Sequence, residues 1–89
     1  MQEVKLLLLK TGQYVISYIS EMEMEPSVFL SDPMEIVDGD LHRFPRYTGQ
    51  RNILLYSDIL ATLLDPDPEI LAKYQASVPK DDTDEEVLQ

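Results

Sequence analysis

The stretch that decides the fold runs from residue 4 to residue 37 and reads VKLLLLKTGQYVISYISEMEMEPSVFLSDPMEIV. It opens with an apolar run, Val4 to Lys10, that is consistent with a strand covered on both faces, although its period alone does not exclude a helix. After a Thr-Gly-Gln turn, residues 13–20 alternate β-branched and aromatic side chains between two faces. A third run, 27–37, ends at the turn signal Asp38-Gly39. This segment therefore predicts three strands.

The downstream sequence adds two further strands. They are predicted at 52–56 and 59–64, separated by the polar pair Ser57-Asp58. Residues 38–50 contain glycine, proline, the single histidine and two of the three arginines, and we interpret them as a long loop. Five short strands within about 64 residues predict a small, strongly bent antiparallel barrel, because closure removes exposed strand edges.

A helix is predicted near residues 67–76. Asp67 suits the N-cap, and Pro68 suits the first helical position, where its missing N–H costs nothing. Three apolar side chains then share one helical face: Ile70, Leu71 and Tyr74. We expect the helix to dock through that face.

Composition limits the classes of function. With 7 basic and 17 acidic residues among 89, the net charge is −10, which disfavours strong non-specific nucleic-acid binding, double-stranded DNA and anionic membranes. The absence of cysteine excludes disulfides and thiolate sites, and the single histidine, His42, excludes a two-histidine metal site. We expect no metal and no cofactor. The longest apolar run, Leu6 to Leu9, is too short for a membrane span or a signal sequence, so we expect a soluble, cytoplasmic protein.

The chain divides into three parts by composition. Residues 1–64 form the predicted barrel, 65–78 the helix and its flanks, and 79–89 an acidic tail. Within the tail, residues 80–86 carry five acids and one base, a net charge of −4. Such a run repels itself, and we predict that it is disordered and solvated.

The spacing of the first half matches a known pattern. From residue 9 the chain reads Leu9-Lys10-x-Gly12-x-x-Val15-x-Ser17-x-Ile19-x-x-x-Glu23-x-x-x-Ser27-Val28-x-Leu30. This resembles the first motif of the Sm-like (LSm/Hfq) proteins, in which a Leu-Lys-x-Gly turn leads into Val-x-Gly-x-Leu, an acidic residue and then Asn. Residues 53–60 resemble the family's shorter second motif. The resemblance covers about residues 3–64. It implies an all-β, five-stranded antiparallel Sm-like barrel, here with a C-terminal helix, and a hexameric or heptameric ring joined by its fourth and fifth strands.

The resemblance also implies an RNA site built from both motifs. Matched residue by residue, the site comprises Glu23, Ser27, Tyr56, Ser57 and Asp58. Ser27 replaces the family's asparagine and Tyr56 its arginine, but a tyrosine ring can still stack on a base. Glu21, Glu23 and Glu25 place acids where phosphates would approach. The alternative, a turn retained only for barrel geometry, stays open.

A second candidate site lies between residues 42 and 51. This segment contains all three arginines of the chain, interleaved with two aromatic residues: Arg43, Phe44, Arg46, Tyr47 and Arg51. Arginine and aromatic side chains bind single-stranded RNA and acidic partners. The alternative is a solvent-exposed loop whose Phe44 and Tyr47 only pack onto the barrel.

Two functions follow from these observations. The first is a ring-forming Sm-like module that binds single-stranded RNA or belongs to an RNA-associated assembly. The second is a homo-oligomeric scaffold for protein partners without nucleic acid. Net charge favours the scaffold, and the resemblance favours RNA. Short acid pairs such as Asp38 with Asp40 lack the ligand spacing of a calcium loop, and we expect no enzyme activity.

Overall fold

In a computed structural model of the chain, residues 3–21 and 27–78 are described. They form six strands and one α-helix: β1 (Glu3–Leu9), β2 (Tyr14–Glu21), β3 (Ser27–Val37), β4 (Asp40–Arg43), β5 (Asn52–Tyr56), β6 (Leu60–Leu64) and α1 (Pro68–Ser77). A short 3-10 turn, Ser57–Ile59, joins β5 to β6. The predicted acidic tail, 79–89, lies outside the described residues, so its predicted disorder stays a prediction.

The strands build one bent antiparallel sheet. Its order is β4-β3-β2-β1-β6, and β5 pairs with β3. Every strand pair in the described part of the chain is antiparallel. The predicted all-β class with a C-terminal helix is confirmed.

The interpretation of residues 38–50 as one long loop is wrong for its first part. Residues 40–43 form β4, which pairs with residues 34–37 of β3, whereas β5 pairs with 27–31 of the same strand. Asp38 and Gly39 both have positive φ, 54° and 82°, which suits the two-residue turn of a tight hairpin. β4 and β5 are therefore two pieces of one strand partner of β3, interrupted by the insertion 44–51, and this interruption raises the strand count from five to six.

A β-bulge lies in β3 where its partner changes from β5 to β4. Ile16 of β2 faces Met34, but Tyr18 faces Ser31, so β3 contains one extra residue between these pairs. Asp32 lies in this bulge with φ of 54°, a left-handed conformation that aspartate tolerates better than most residues. A bulge bends the strand and increases its twist, which favours the curvature of the sheet.

Two apolar clusters lie on opposite faces of the sheet. The interior cluster comprises Leu7, Leu9, Val15, Ile19, Val28 and Leu30. The outer cluster places Tyr74 and Val78 from the helical end of the chain against Ile16, with Val4 and Leu6 of β1 at its margin. Both faces of β1 are therefore covered, as its apolar run predicts.

Helix α1 begins as its sequence predicts. The Asp67 carboxylate accepts a hydrogen bond from the Ile70 backbone N–H at 2.9 Å, and Pro68 occupies the first helical position. Tyr74 is fully buried by the docking of α1. Its hydroxyl donates to the Asp32 carbonyl at 2.7 Å and accepts from the Tyr18 N–H at 3.3 Å. Helix and bulge are thus joined by one phenol, and burial raises the pKa of Tyr74 above its ordinary value.

Candidate functional site

The residues of the predicted RNA site meet at one end of the sheet. Ser27, the first residue of β3, lies directly opposite Tyr56, the last residue of β5. Ser57 and Asp58 follow in the 3-10 turn, which contacts β3. Four of the five predicted residues are therefore brought together, and the fifth, Glu23, lies outside the described residues.

These residues differ in what they offer to a ligand. Alternation along β5 turns Ile53 and Leu55 toward the interior cluster and leaves Tyr56 on the opposite face, where 62% of its surface is exposed. Asp58 is exposed as well. Ser27 is buried, with 5% exposure, and it already interacts with a partner in the protein. The cluster presents an aromatic ring and a carboxylate, but none of its residues is a cation.

The residues of the second candidate site differ in their contacts. Phe44 is half-buried against the interior cluster, as the structural alternative for this loop predicts. Tyr47 does not pack onto the barrel, because it is 100% exposed. Arg51 lies 3.6 Å from the Asp32 carboxylate, and its carbonyl accepts from the Asp32 N–H at 2.8 Å. Arg43 and Arg46 are exposed. The contact of Arg51 with Asp32 had no signal in the sequence, since it depends on the bulge.

The free edges of β5 and β6 form a third feature. Among the described residues, β5 pairs only with β3 and β6 only with β1. The interior cluster is buried along β1, β2 and β3, but its members on the two edge strands are only half-buried: Ile53, Leu55, Leu60 and Leu63. Leu54 and Leu64 are 40% and 41% exposed. The core is therefore open on the side where both edges are free.

Neither a metal centre nor a membrane helix is found in residues 3–21 and 27–78. No group of three or more histidine or acidic side chains there is arranged to hold a metal ion. No described helix has the length and apolar character needed to cross a membrane.

Solved structures of Sm proteins resemble this fold, among them the following two. One is a heptameric archaeal Sm protein at 12% identity, and the similarity covers 73% of this chain and 87% of that chain with a TM-score of 0.56. The other is the SmAP1 heptamer of P. aerophilum, also at 12% identity, with 73% and 80% coverage and a TM-score of 0.56. At this identity the similarity shows the fold, and the chain has an Sm-like fold.

Similarity at the level of sequence identifies the family of the chain. No curated protein is a significant match to the chain. A family model does match residues 2–79, and the chain belongs to the family that it describes, DUF6561, a family of unknown function.

Proposed function

We propose that the protein is a self-assembling Sm-like subunit that joins copies of itself through the free edges of β5 and β6. The observation that carries this proposal is the open side of the interior core, where half-buried leucine and isoleucine side chains lie beside two unpaired strand edges. Exposed apolar edges promote association, and pairing between subunits would cover both the edges and the core. The heptameric state of the two similar Sm proteins and the family resemblance support a closed ring of six or seven copies.

The hydrogen-bond register of β5 identifies the backbone groups that would join subunits. The Asp32 N–H donates to the Arg51 carbonyl, and Asn52 faces Ser31. In an antiparallel ladder this arrangement makes Asn52 a non-hydrogen-bonded partner, so Ile53 and Leu55 direct their N–H groups toward β3. Leu54 directs its N–H away from β3, toward the free edge. A second strand would accept its hydrogen bonds there.

Replacing Leu54 with proline tests this register. Proline removes the outward N–H but no bond to β3, and proline is tolerated on edge strands. We expect the wild-type chain to sediment as a multiple of 10.2 kDa and Leu54→Pro to sediment as a monomer with an unchanged far-UV circular dichroism spectrum. Leu54→Ala is the matched control, because it shortens the side chain and keeps the N–H; we expect it to remain assembled.

Two results would contradict the proposal. One is a wild-type chain that sediments only as a 10.2 kDa particle at micromolar concentration. The other is a folded Leu54→Pro variant with the wild-type oligomeric state, which would show that the outward N–H of Leu54 joins no neighbour.

Single-stranded RNA binding is a second candidate function, favoured by the exposed ring of Tyr56 beside Asp58. If a base stacks on this ring, Tyr56→Ala should weaken binding of oligo-U by about 1–3 kcal/mol per stacked base. Tyr14→Ala is the control, since Tyr14 is 42% exposed on β2, outside this cluster. Because the chain carries a charge of −10, we expect dissociation constants no tighter than micromolar. A nanomolar affinity at 0.15 M salt, where the Debye length is about 8 Å, would instead make RNA binding the first choice.

If oligonucleotides do not bind, the alternative that we propose is an assembled scaffold for protein partners. The expected lack of enzyme activity and the expected cytoplasmic location stay predictions.

A further inference from the structure

The charge of this protein is unevenly distributed. All 17 acidic residues lie outside the stretch from Leu41 to Ser57, which contains all three arginines and the single histidine. The acids at its two ends are Asp40 and Asp58. A short basic segment therefore lies within a strongly acidic chain.

The insertion 44–51 is held at both of its ends. At its start, the Phe44 ring packs against the interior cluster. At its end, Arg51 is fixed to Asp32 by an ion pair of 3.6 Å and a backbone hydrogen bond of 2.8 Å. The Gln50 side chain also donates to the Asn52 carbonyl at 2.9 Å. These contacts fix where the middle of the insertion lies on the surface.

Three side chains at the end of β4 and in the insertion have no hydrogen-bond or ion-pair partner among the described residues. Arg43 and Arg46 are exposed, and neither forms an ion pair with any residue in the described part of the chain. Tyr47 is 100% exposed and has φ of 70°, in the left-handed region, which costs energy for a tyrosine. Residues with such strained backbone conformations cluster at binding sites. We call Arg43, Arg46 and Tyr47 the arginine–tyrosine surface.

We propose that the arginine–tyrosine surface binds a short acidic peptide segment of a partner protein. Arginine recognises carboxylates through two parallel hydrogen bonds, which suits aspartate and glutamate side chains. The Tyr47 hydroxyl adds a donor and its ring an apolar contact. A short peptide needs to contact only this surface. A longer polyanion such as RNA would extend beyond it, over a protein whose remaining residues carry a net charge of −12.

The test is fluorescence anisotropy of a labelled hexapeptide of alternating aspartate and glutamate, titrated with the full chain at low and physiological salt. We expect binding that weakens with added salt. Arg43→Gln combined with Arg46→Gln should weaken binding at least tenfold. The corresponding double lysine variant keeps both charges but loses the planar guanidinium, and it should recover only part of the affinity. Tyr47→Ala should weaken binding by severalfold.

Lys10→Gln is the matched control, because Lys10 is exposed, lies outside this surface and carries the same charge. It should change the affinity less than twofold. An equal loss in Lys10→Gln would overturn the proposal, since it would indicate attraction without a site. Tighter binding of oligo-U than of the peptide would also overturn it, in favour of RNA. The titration is repeated with the chain truncated after Pro79, so that its own acids at 81–86 cannot compete; absence of binding in both forms would overturn the proposal.

Discussion

Replacing Tyr74 with phenylalanine removes one oxygen atom from the contact between α1 and the bulge. The hydroxyl donates to the Asp32 carbonyl at 2.7 Å and lies 3.2 Å from the Ser31 carbonyl, and it accepts from the Tyr18 N–H at 3.3 Å. Phenylalanine preserves the ring, including its tilted contact with Tyr18 at 5.5 Å between centroids. The variant therefore tests the hydrogen bonds without creating a large cavity.

The expected loss follows from the groups that remain. A net hydrogen bond contributes about 0.5–1.5 kcal/mol, and a buried group left without its partner costs about 1–3 kcal/mol. Tyr74 is fully buried, so water cannot readily replace its hydroxyl. We expect Tyr74→Phe to lower the free energy of unfolding by about 1–3 kcal/mol. For a domain of this size each kcal/mol lowers Tm by roughly 4–8 °C.

Urea unfolding followed by far-UV circular dichroism measures this loss, at one fixed chain concentration because assembly would shift the midpoint. Tyr14→Phe is the control, since Tyr14 is 42% exposed and is the first residue of β2. It should stay within about 0.5 kcal/mol of wild type, as surface substitutions usually do. A loss below about 0.5 kcal/mol in Tyr74→Phe, or the same loss in both variants, would refute the conclusion that this hydroxyl joins helix and bulge.

Three further predictions concern the same part of the chain. Burial raises the pKa of Tyr74 above its ordinary value of 10.0, so the unfolded chain releases this proton first. The stability that comes from this shift is present below pH 10.0 and is lost as the pH rises above it. The urea midpoint should therefore be lower at about pH 11 than at about pH 9, and the difference should be smaller in Tyr74→Phe. Asp67→Ala removes the helix cap and should cost about 1 kcal/mol in the same unfolding assay, whereas an unchanged midpoint would show that the cap is dispensable. Truncation after Pro79 should leave Tm within a few degrees of wild type in a thermal scan, since the acidic composition of the tail offers little apolar surface to bury; a large fall would assign the tail a structural role.

Local chemistry in the sequence determined the order of most elements. The cap at Asp67 and the proline after it act within one helical turn, so helix α1 could be predicted to within a residue. The pair Asp38-Gly39 predicted a turn, and positive φ at both residues is the reason. The resemblance to the two Sm-like motifs implied one site for Ser27, Tyr56, Ser57 and Asp58, and the pairing of β3 with β5 places Ser27 opposite Tyr56.

Only the tertiary structure decided how β3 divides between two partners. Residues 40–43 have a weak strand signal, with Leu41 as their one apolar residue, and they pair because β3 continues beyond the bulge and offers its edge. The bulge depends on contacts between distant positions: the Ser17 hydroxyl donates to the Ser31 carbonyl, and Tyr74 reaches Asp32 across 42 positions of sequence. The full exposure of Tyr47 and the half-burial of Phe44 likewise depend on where the insertion leaves the sheet. A local pattern indicates the preferences of neighbouring residues. A bulge, a free edge and an exposed side chain instead depend on which distant groups form hydrogen bonds with each other and bury each other's apolar surface.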